Sequence, residues 1–241
     1  MAAADPLPIT AIDPHDPLAD HAPGAAALQL DHPIFRESIR LIRAALEPTG
    51  VYARCPGPAE RDVLERLVHS SGDLTLPADL VMPPGACQAG LVAVVAGAPI
   101  LTDTAMAAAA VAPMARRTFA NPVHNVLAWA PPQAPAGSTR AAAGMQRALA
   151  EHPGAVVLIG SAPTALEVLL EAVQAGALAP ALVIGMPVGF VGVAESKRHL
   201  AASALPQIRL DGSRGGAGLV GAAQNALLRR AWLIQAAAAP L

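Results

Sequence analysis

One histidine, His69, stands just ahead of Ser70-Ser71-Gly72, at the end of a segment whose residues Val63, Leu64, Leu67 and Val68 recur at helical spacing. The carboxyl end of a helix carries partial negative charge and favours imidazolium, so a histidine there is suited to hold and deliver a proton near neutral pH. The same position also suits a plain C-terminal cap. Thr139-Arg140 opens another helical segment, where free backbone amides, the helix dipole and a guanidinium can converge on a carboxylate or phosphate. Arg214, within Gly212-Ser-Arg-Gly215-Gly216, offers the same chemistry from a loop. Either arginine alone reads equally as a solvated side chain, but two on one rim point to an anionic ligand. Ser161-Ala-Pro-Thr164 has the form of an N-cap with proline just inside the helix, and its hydroxyls and amides are also suited to ligand oxygens. Asp103 reads either as a helix cap or as a group that orients a partner.

The stretch from Gly185 through Met186, Pro187, Val188 and Gly189 to Lys197 joins a short apolar run to a helical one through three glycines and a proline. Glycine permits close backbone approach and proline stiffens the turn, so amides rather than bulky side chains are expected to line this surface. The plainer reading is an ordinary connection with turn glycines. Glu195 and Lys197 either pair with solvent or line a pocket.

These residues need elements to position them. Asp31 or His32 can cap a first helix with Pro33 in its first turn and Phe35, Ile39, Ile42 and Leu46 on one face; further helices are expected at Pro58–Ser70 and Ala86–Ala96. From there, short apolar runs at Pro99–Thr102, Asn125–Trp129, Ala155–Ile159, Ala181–Ile184 and Gln207–Leu210 alternate with helical segments at Met106–Ala112, Thr139–Glu151, Pro163–Gln174, Ala194–Ser203 and Ala217–Trp232. Continuous apolar strands each followed by a helix indicate a parallel sheet covered on both faces. The expected fold is α/β, a flavodoxin-like three-layer α/β/α arrangement with a five-stranded, mainly parallel sheet and extra N-terminal helices. In such sheets ligands sit beyond the carboxyl ends of the strands, and Asp103, Gly160, Gly185 and Asp211 all fall on that rim.

Of 241 residues only 14% are charged and 2% aromatic, with net charge −2 and no basic run, so nothing draws the chain to nucleic acid or an anionic membrane. The tract Gly90–Leu101 is broken by Gly97 and Pro99 and is too short to span a bilayer. With no secretory signal in Met1 to Leu7, the expected location is cytoplasmic, and Cys55 and Cys87 are expected as free thiols. Residues 1–30, rich in Ala, Pro, Asp and His, read as a disordered extension preceding one domain over 31–241. Histidines 15, 21 and 32 are read there as scattered surface groups rather than a metal-binding tail. Gly216-Ala-Gly-Leu-Val-Gly221 matches a dinucleotide fingerprint, but the acidic residue wanted about 20 positions on would fall at Leu241, so helix packing is preferred. No Ser/His/Asp triad, Walker loop or metal-ligand cluster is visible, and a reaction without cofactor or metal is the consistent inference.

Several blocks, taken in order, resemble the precorrin-8X methylmutase family of cobalamin biosynthesis: Leu67-Val-His-Ser-Ser-Gly72, Gly97-Ala-Pro-Ile-Leu-Thr-Asp103, Ser138-Thr-Arg-Ala-Ala-Ala143, Ile159-Gly-Ser-Ala-Pro-Thr-Ala-Leu166, Ile184 to Lys197, and Arg214-Gly-Gly216. The resemblance runs from about His32 to Leu228. It implies a homodimeric isomerase that moves a methyl group from C-11 to C-12 of precorrin-8X, giving hydrogenobyrinic acid. It further implies that His69 is the acid and that Arg140 contacts the substrate; with the loop and helix-start readings above, Thr139, Ser161, Thr164, Gly185 to Gly189, Lys197 and Arg214 to Gly216 are the expected binding residues. The sequence departs from the family at Ala105, where an acidic residue is usual, at Asp211 and Ser213, where arginine often stands, and over Ala110 to Gly137, which is poorly matched. Two other classes remain in view: a non-catalytic corrinoid carrier, and a nucleotide- or flavin-binding flavodoxin-like protein.

Overall fold

The fold was taken from a computed structural model that describes residues 30–177 and 179–238. The expected disordered extension, with His15 and His21, falls on residues outside these. Helix α1 (Pro33–Leu46) begins as expected, with the His32 Nδ1 accepting the Ile34 N–H at 3.2 Å and Pro33 at the first position. Helix α2 (Pro58–Ser71) ends where Gly72 takes φ 66° and returns its N–H to the Val68 carbonyl. Strand β1 (Leu80–Val81) and helix α3 (Ala86–Val95) complete the N-terminal part. Four strand–helix repeats follow: β2 (Ile100–Thr102) with α4 (Ala105–Arg117), β3 (Val123–Asn125) with α5 (Arg140–Glu151), β4 (Val156–Ile159) with α6 (Pro163–Gln174), and β5 (Leu182–Gly185) with α7 (Val193–Ala202). Strand β6 (Gln207–Leu210) leads into the long α8 (Ala217–Ala238).

The sheet order is β1-β6-β5-β4-β2-β3, with β1 antiparallel to β6 and every other pair parallel. Counting only the five parallel strands in chain order gives 2-1-3-4-5, the flavodoxin-like order, and its switch point lies between β2 and β4. The expected five strands are therefore six. Strand β1 has two residues between Pro77 and Pro83-Pro84, too short to leave a period.

Neighbouring strand residues point to opposite faces. Ile100, Val156, Leu158, Ile184 and Ile208 join the core under α2, α3, α4 and α8, whereas Leu101, Val157, Ile159 and Val183 join a second core with Leu166, Leu169 and Leu200 of α6 and α7. That alternation, with both sides buried, is why the strands read as continuous apolar runs.

One strand was misplaced by the sequence reading. Asn125–Trp129 holds only the last residue of β3; Val126–Trp129 is a 3₁₀ turn, capped by Asn125 Oδ1 accepting the Leu127 N–H at 3.1 Å. The turn packs on Gly144 of α5, where a Cβ would lie 2.2 Å from the Val126 carbonyl oxygen. Among the described residues no helix is long and apolar enough to cross a membrane.

Candidate active site at the carboxyl rim of the sheet

The strand ends meet as three loops in backbone contact. A Cβ on Gly160 would come within 2.7 Å of the Ala217 backbone, and one on Gly215 within 1.9 Å of the Met186 carbonyl oxygen, so glycine is required at both places. Gly216 N–H donates to Met186 O at 2.9 Å, Gly189 N–H to Ser213 O at 3.1 Å and Val188 N–H to Gly160 O at 3.2 Å. The rim expected from sequence exists, but its chemistry is different. The amides of Met186, Val188 and Gly189 are occupied by neighbouring carbonyls, Met186 and Pro187 are buried, and the exposed surface here is made of the Val188, Phe190 and Val191 side chains.

At the switch point the amides of the segment after β4 are likewise taken. Asp103, fully buried, accepts the N–H groups of Gly160, Ser161 and Ala162 through Oδ2 at 3.1, 2.6 and 2.8 Å. Of the two roles open to it, Asp103 serves as the brace of this turn and the start of α6. Burial pushes its carboxyl above the ordinary value, opposed by those three donors, and its Oδ1 has no partner among the described residues. The Ser161 hydroxyl, not its amide, is left for a ligand.

Thr139 caps α5 by accepting the Ala142 N–H at 3.1 Å, and its hydroxyl lies 2.8 Å from that of Thr164 in the first turn of α6. Two helix N-termini thus stand side by side at the rim. Arg140 is exposed and donates through Nε to the Pro131 carbonyl at 2.9 Å, which orients the guanidinium and leaves its terminal nitrogens available.

Two residues expected to meet a ligand are turned to the protein. Lys197 is 1% exposed, and its Nζ donates to the Gly212 and Arg214 carbonyls at 2.9 and 2.6 Å, so it clamps the loop between β6 and α8 from beneath. Burial lowers its ammonium to about 8, opposed by Asp211 and Asp79. Arg214 donates to the Thr75 hydroxyl at 3.0 Å and lies 3.4 Å from carboxylate oxygens of both Asp73 and Asp79. Its charge is balanced within the chain, which the sequence reading did not foresee.

These same contacts bring His69 to the rim. Pro58 and Asp62 of α2 meet Arg230 far along α8, whereas Asp73, just past the other end of α2, meets Arg214 ahead of α8, so the two helices run antiparallel and the carboxyl end of α2, with His69, lies toward the amino end of α8. Four residues later the chain reaches Asp73 and its contact with Arg214. The His69 Nδ1 lies 2.7 Å from the Ser38 hydroxyl of α1, and its ring meets Phe35 edge-on at 5.2 Å. Either group can be the donor of that bond, and in the imidazolium Nδ1–H donates to the Ser38 oxygen. Burial, with the Arg66 charge adding to it, holds the imidazole below its ordinary 6.5. The pull of the helix end toward imidazolium is thus opposed by burial and by Arg66. Ser38 and Phe35 were missed as partners because no local pattern links α1 to His69, which lies 31 residues beyond Ser38, whereas Arg66, one turn before His69 on the same helix, was legible from its spacing.

His69 approaches from the face carrying α2 and α8, Arg140 from the face carrying α5 and α6. Gly221, the last glycine of the apparent nucleotide fingerprint, faces α4, where a Cβ would lie 2.7 Å from that of Ala110; it packs helices.

A sequence profile of precorrin-8X methylmutases matches residues 33–230. The chain belongs to the precorrin-8X methylmutase family. It is 42% identical over 200 residues to a precorrin-8X methylmutase of Pseudomonas aeruginosa, covering 80% of this chain and 93% of that one. It is 35% identical over 219 residues to a cobalt-precorrin-8 methylmutase of Synechocystis, covering 85% and 98%. A solved precorrin-8X methylmutase from Thermus thermophilus superposes with a TM-score of 0.73 at 41% identity, covering 82% and 95% of the two chains. The family resemblance and the fold expected from sequence both hold, and the chain is an isomerase of cobalamin biosynthesis.

Proposed function

We propose that this chain moves the methyl group at C-11 of precorrin-8X, or of its cobalt-containing equivalent, to C-12, giving the hydrogenobyrinic acid skeleton, with His69 as proton donor. The observation that carries this reading is the His69–Ser38 contact beside the rim, because it holds Nδ1 against α1 and leaves Nε2 as the ring nitrogen that can meet a ligand. A proton placed on a conjugated macrocycle makes it more electron-poor and eases a sigmatropic shift, and a well-placed acid contributes about 10² to 10⁴-fold. Orientation within the site supplies much of the remainder. A substrate with several carboxylates answers both to Arg140 and to the lowered proton affinity of His69, since nearby negative charge on the ligand restores the imidazolium as the complex forms. Thr139, Ser161 and Thr164 offer hydroxyls along the same edge. Lys197, Met186 and the glycines at 185, 189, 215 and 216 shape that edge from behind. We infer a cytoplasmic homodimer from the family resemblance, with a mass in solution twice the chain's 24.3 kDa.

The test is to mix purified protein with precorrin-8X and follow the absorption spectrum. Conversion to the corrin chromophore by the wild type, lost in His69→Ala, is the expected result. Binding that shifts the spectrum without conversion, unchanged by that substitution, would instead make the chain a corrinoid carrier.

A further inference from the structure

Phe190 is 92% exposed and Val191 89%, the most exposed large apolar side chains among the described residues. With only three phenylalanines in 241 residues, the chain places one of them in open solvent. With Val188, 47% exposed, Phe190 and Val191 make a contiguous apolar patch beside the rim, the kind of surface that marks an interaction site. We propose that Phe190 and Val191 form a flap that closes over one face of the substrate's macrocycle, a reading that rests on the function proposed above.

Backbone hydrogen bonds tie the base of the flap to its neighbours, and its tip has none among the described residues. Val188 and Gly189 donate to Gly160 and Ser213, which ties the base to the loops after β4 and β6. Beyond it, Phe190 and Val191 stand between Gly189 at φ 134° and Gly192 at φ 69°, and neither makes a backbone hydrogen bond among the described residues. Two glycines in conformations that other residues rarely adopt flank the tip, and only glycine makes both turns without strain. The amino end of α6 lies beside the tip's far glycine: a Cβ on Gly192 would come 4.0 Å from Pro163, and the next residue, Thr164, meets the Thr139 hydroxyl at the start of the helix that carries Arg140. Apolar tip and cationic floor together fit a ligand with a broad apolar ring face and an acidic edge. A phenyl ring stacks well on a conjugated ring and excludes water from it, while Arg140 and the hydroxyls take the carboxylates. A closing loop of this kind holds the ring flat against the proton donor.

Because both side chains are exposed, Phe190→Ala and Val191→Ser leave folding unchanged, so binding can be read cleanly. The probe is hydrogenobyrinic acid, titrated by absorbance, with the mass of each variant in solution recorded alongside. Phe190→Ala is expected to weaken binding by about tenfold or more at unchanged mass, and Phe190→Leu to recover part of it. In Phe190→Trp, bound hydrogenobyrinic acid is expected to shield the new indole from acrylamide. Wild-type affinity in Phe190→Ala, or an indole equally accessible with and without the corrin, overturns the flap. A fall in mass in Phe190→Ala also overturns it, assigning the patch to contact between copies of the chain. If the wild type itself neither binds nor converts a corrin, the functional reading falls first and the flap with it.

Discussion

His69 titrates in a place where two effects oppose each other, and the balance decides when it can act as an acid. Burial and Arg66 lower its proton affinity in the free protein, while a carboxylate-rich ligand raises it. The pH dependence of kcat/KM reports the free protein and that of kcat the complex. The falling limb of kcat/KM is therefore expected below pH 6.5 and that of kcat at higher pH; coincident limbs would show that the ligand does not touch the imidazole's charge. Ser38→Ala removes the contact that orients the ring, and a drop in kcat of about tenfold with little change in KM is expected. Asp103 gives a second residue-level expectation. Removing its carboxyl with Asp103→Ala strips the acceptor from three amides and should cost on the order of 3 kcal/mol in denaturant titration. Asp103→Asn keeps an oxygen for those amides and should cost less. Of these particulars the sequence disclosed only that His69 ends a helix and Asp103 ends a strand. Their partners come from elements far apart in the chain.

At the scale of elements, the sequence was most legible where a period was long. Helix α2 has the expected apolar face and glycine stop, and β4, β5 and β6 lie within a residue of their predicted bounds, β4 and β5 because strands buried on both faces carry no charged or polar side chain. Strand β3 was misplaced because Val126-Leu-Ala-Trp129 is as apolar as a strand, and only the Asn125 cap and the close fit against Gly144 turn it into a 3₁₀ turn. The loop Gly185–Gly189 was correctly singled out for its glycines, yet their purpose is contact between loops rather than display of amides. Lys197 is the element-level test of that packing. Its folded value of about 8 lies below the ordinary 10.5, so between those values the unfolded chain holds a proton that the folded one has released. Stability from this group therefore rises with pH from about 8 to 10.5. Lys197→Met should flatten that rise in urea titrations, and a matching slope in both proteins would contradict the buried clamp.

Across the whole molecule, the parallel sheet sets the rim and α8 sets what stands over it. Asp31, ahead of α1, and Asp62 of α2 bind Arg229 and Arg230 of α8 in pairs almost closed to solvent. These ion pairs fix the register of α1 and α2 on α8, and through it the height of His69 above the strand ends. Removing one partner leaves buried charge uncompensated, so Asp31→Ala should cost about 3 kcal/mol of stability. Nothing in the charge pattern of the sequence announces these pairs, whose members lie more than 160 residues apart. The flavodoxin-like order, by contrast, followed from counting strand–helix repeats, because connections between parallel strands leave few alternatives.

The central claim is that the His69 proton drives migration of one methyl group within a bound tetrapyrrole. Single-turnover reactions with precorrin-8X carrying ¹³C in the C-11 methyl, read by NMR for wild type and His69→Ala, test it most directly. The label is expected to appear at C-12 with the wild type, and at least about 10²-fold more slowly with the variant. Migration at the wild-type rate without the imidazole would contradict the account.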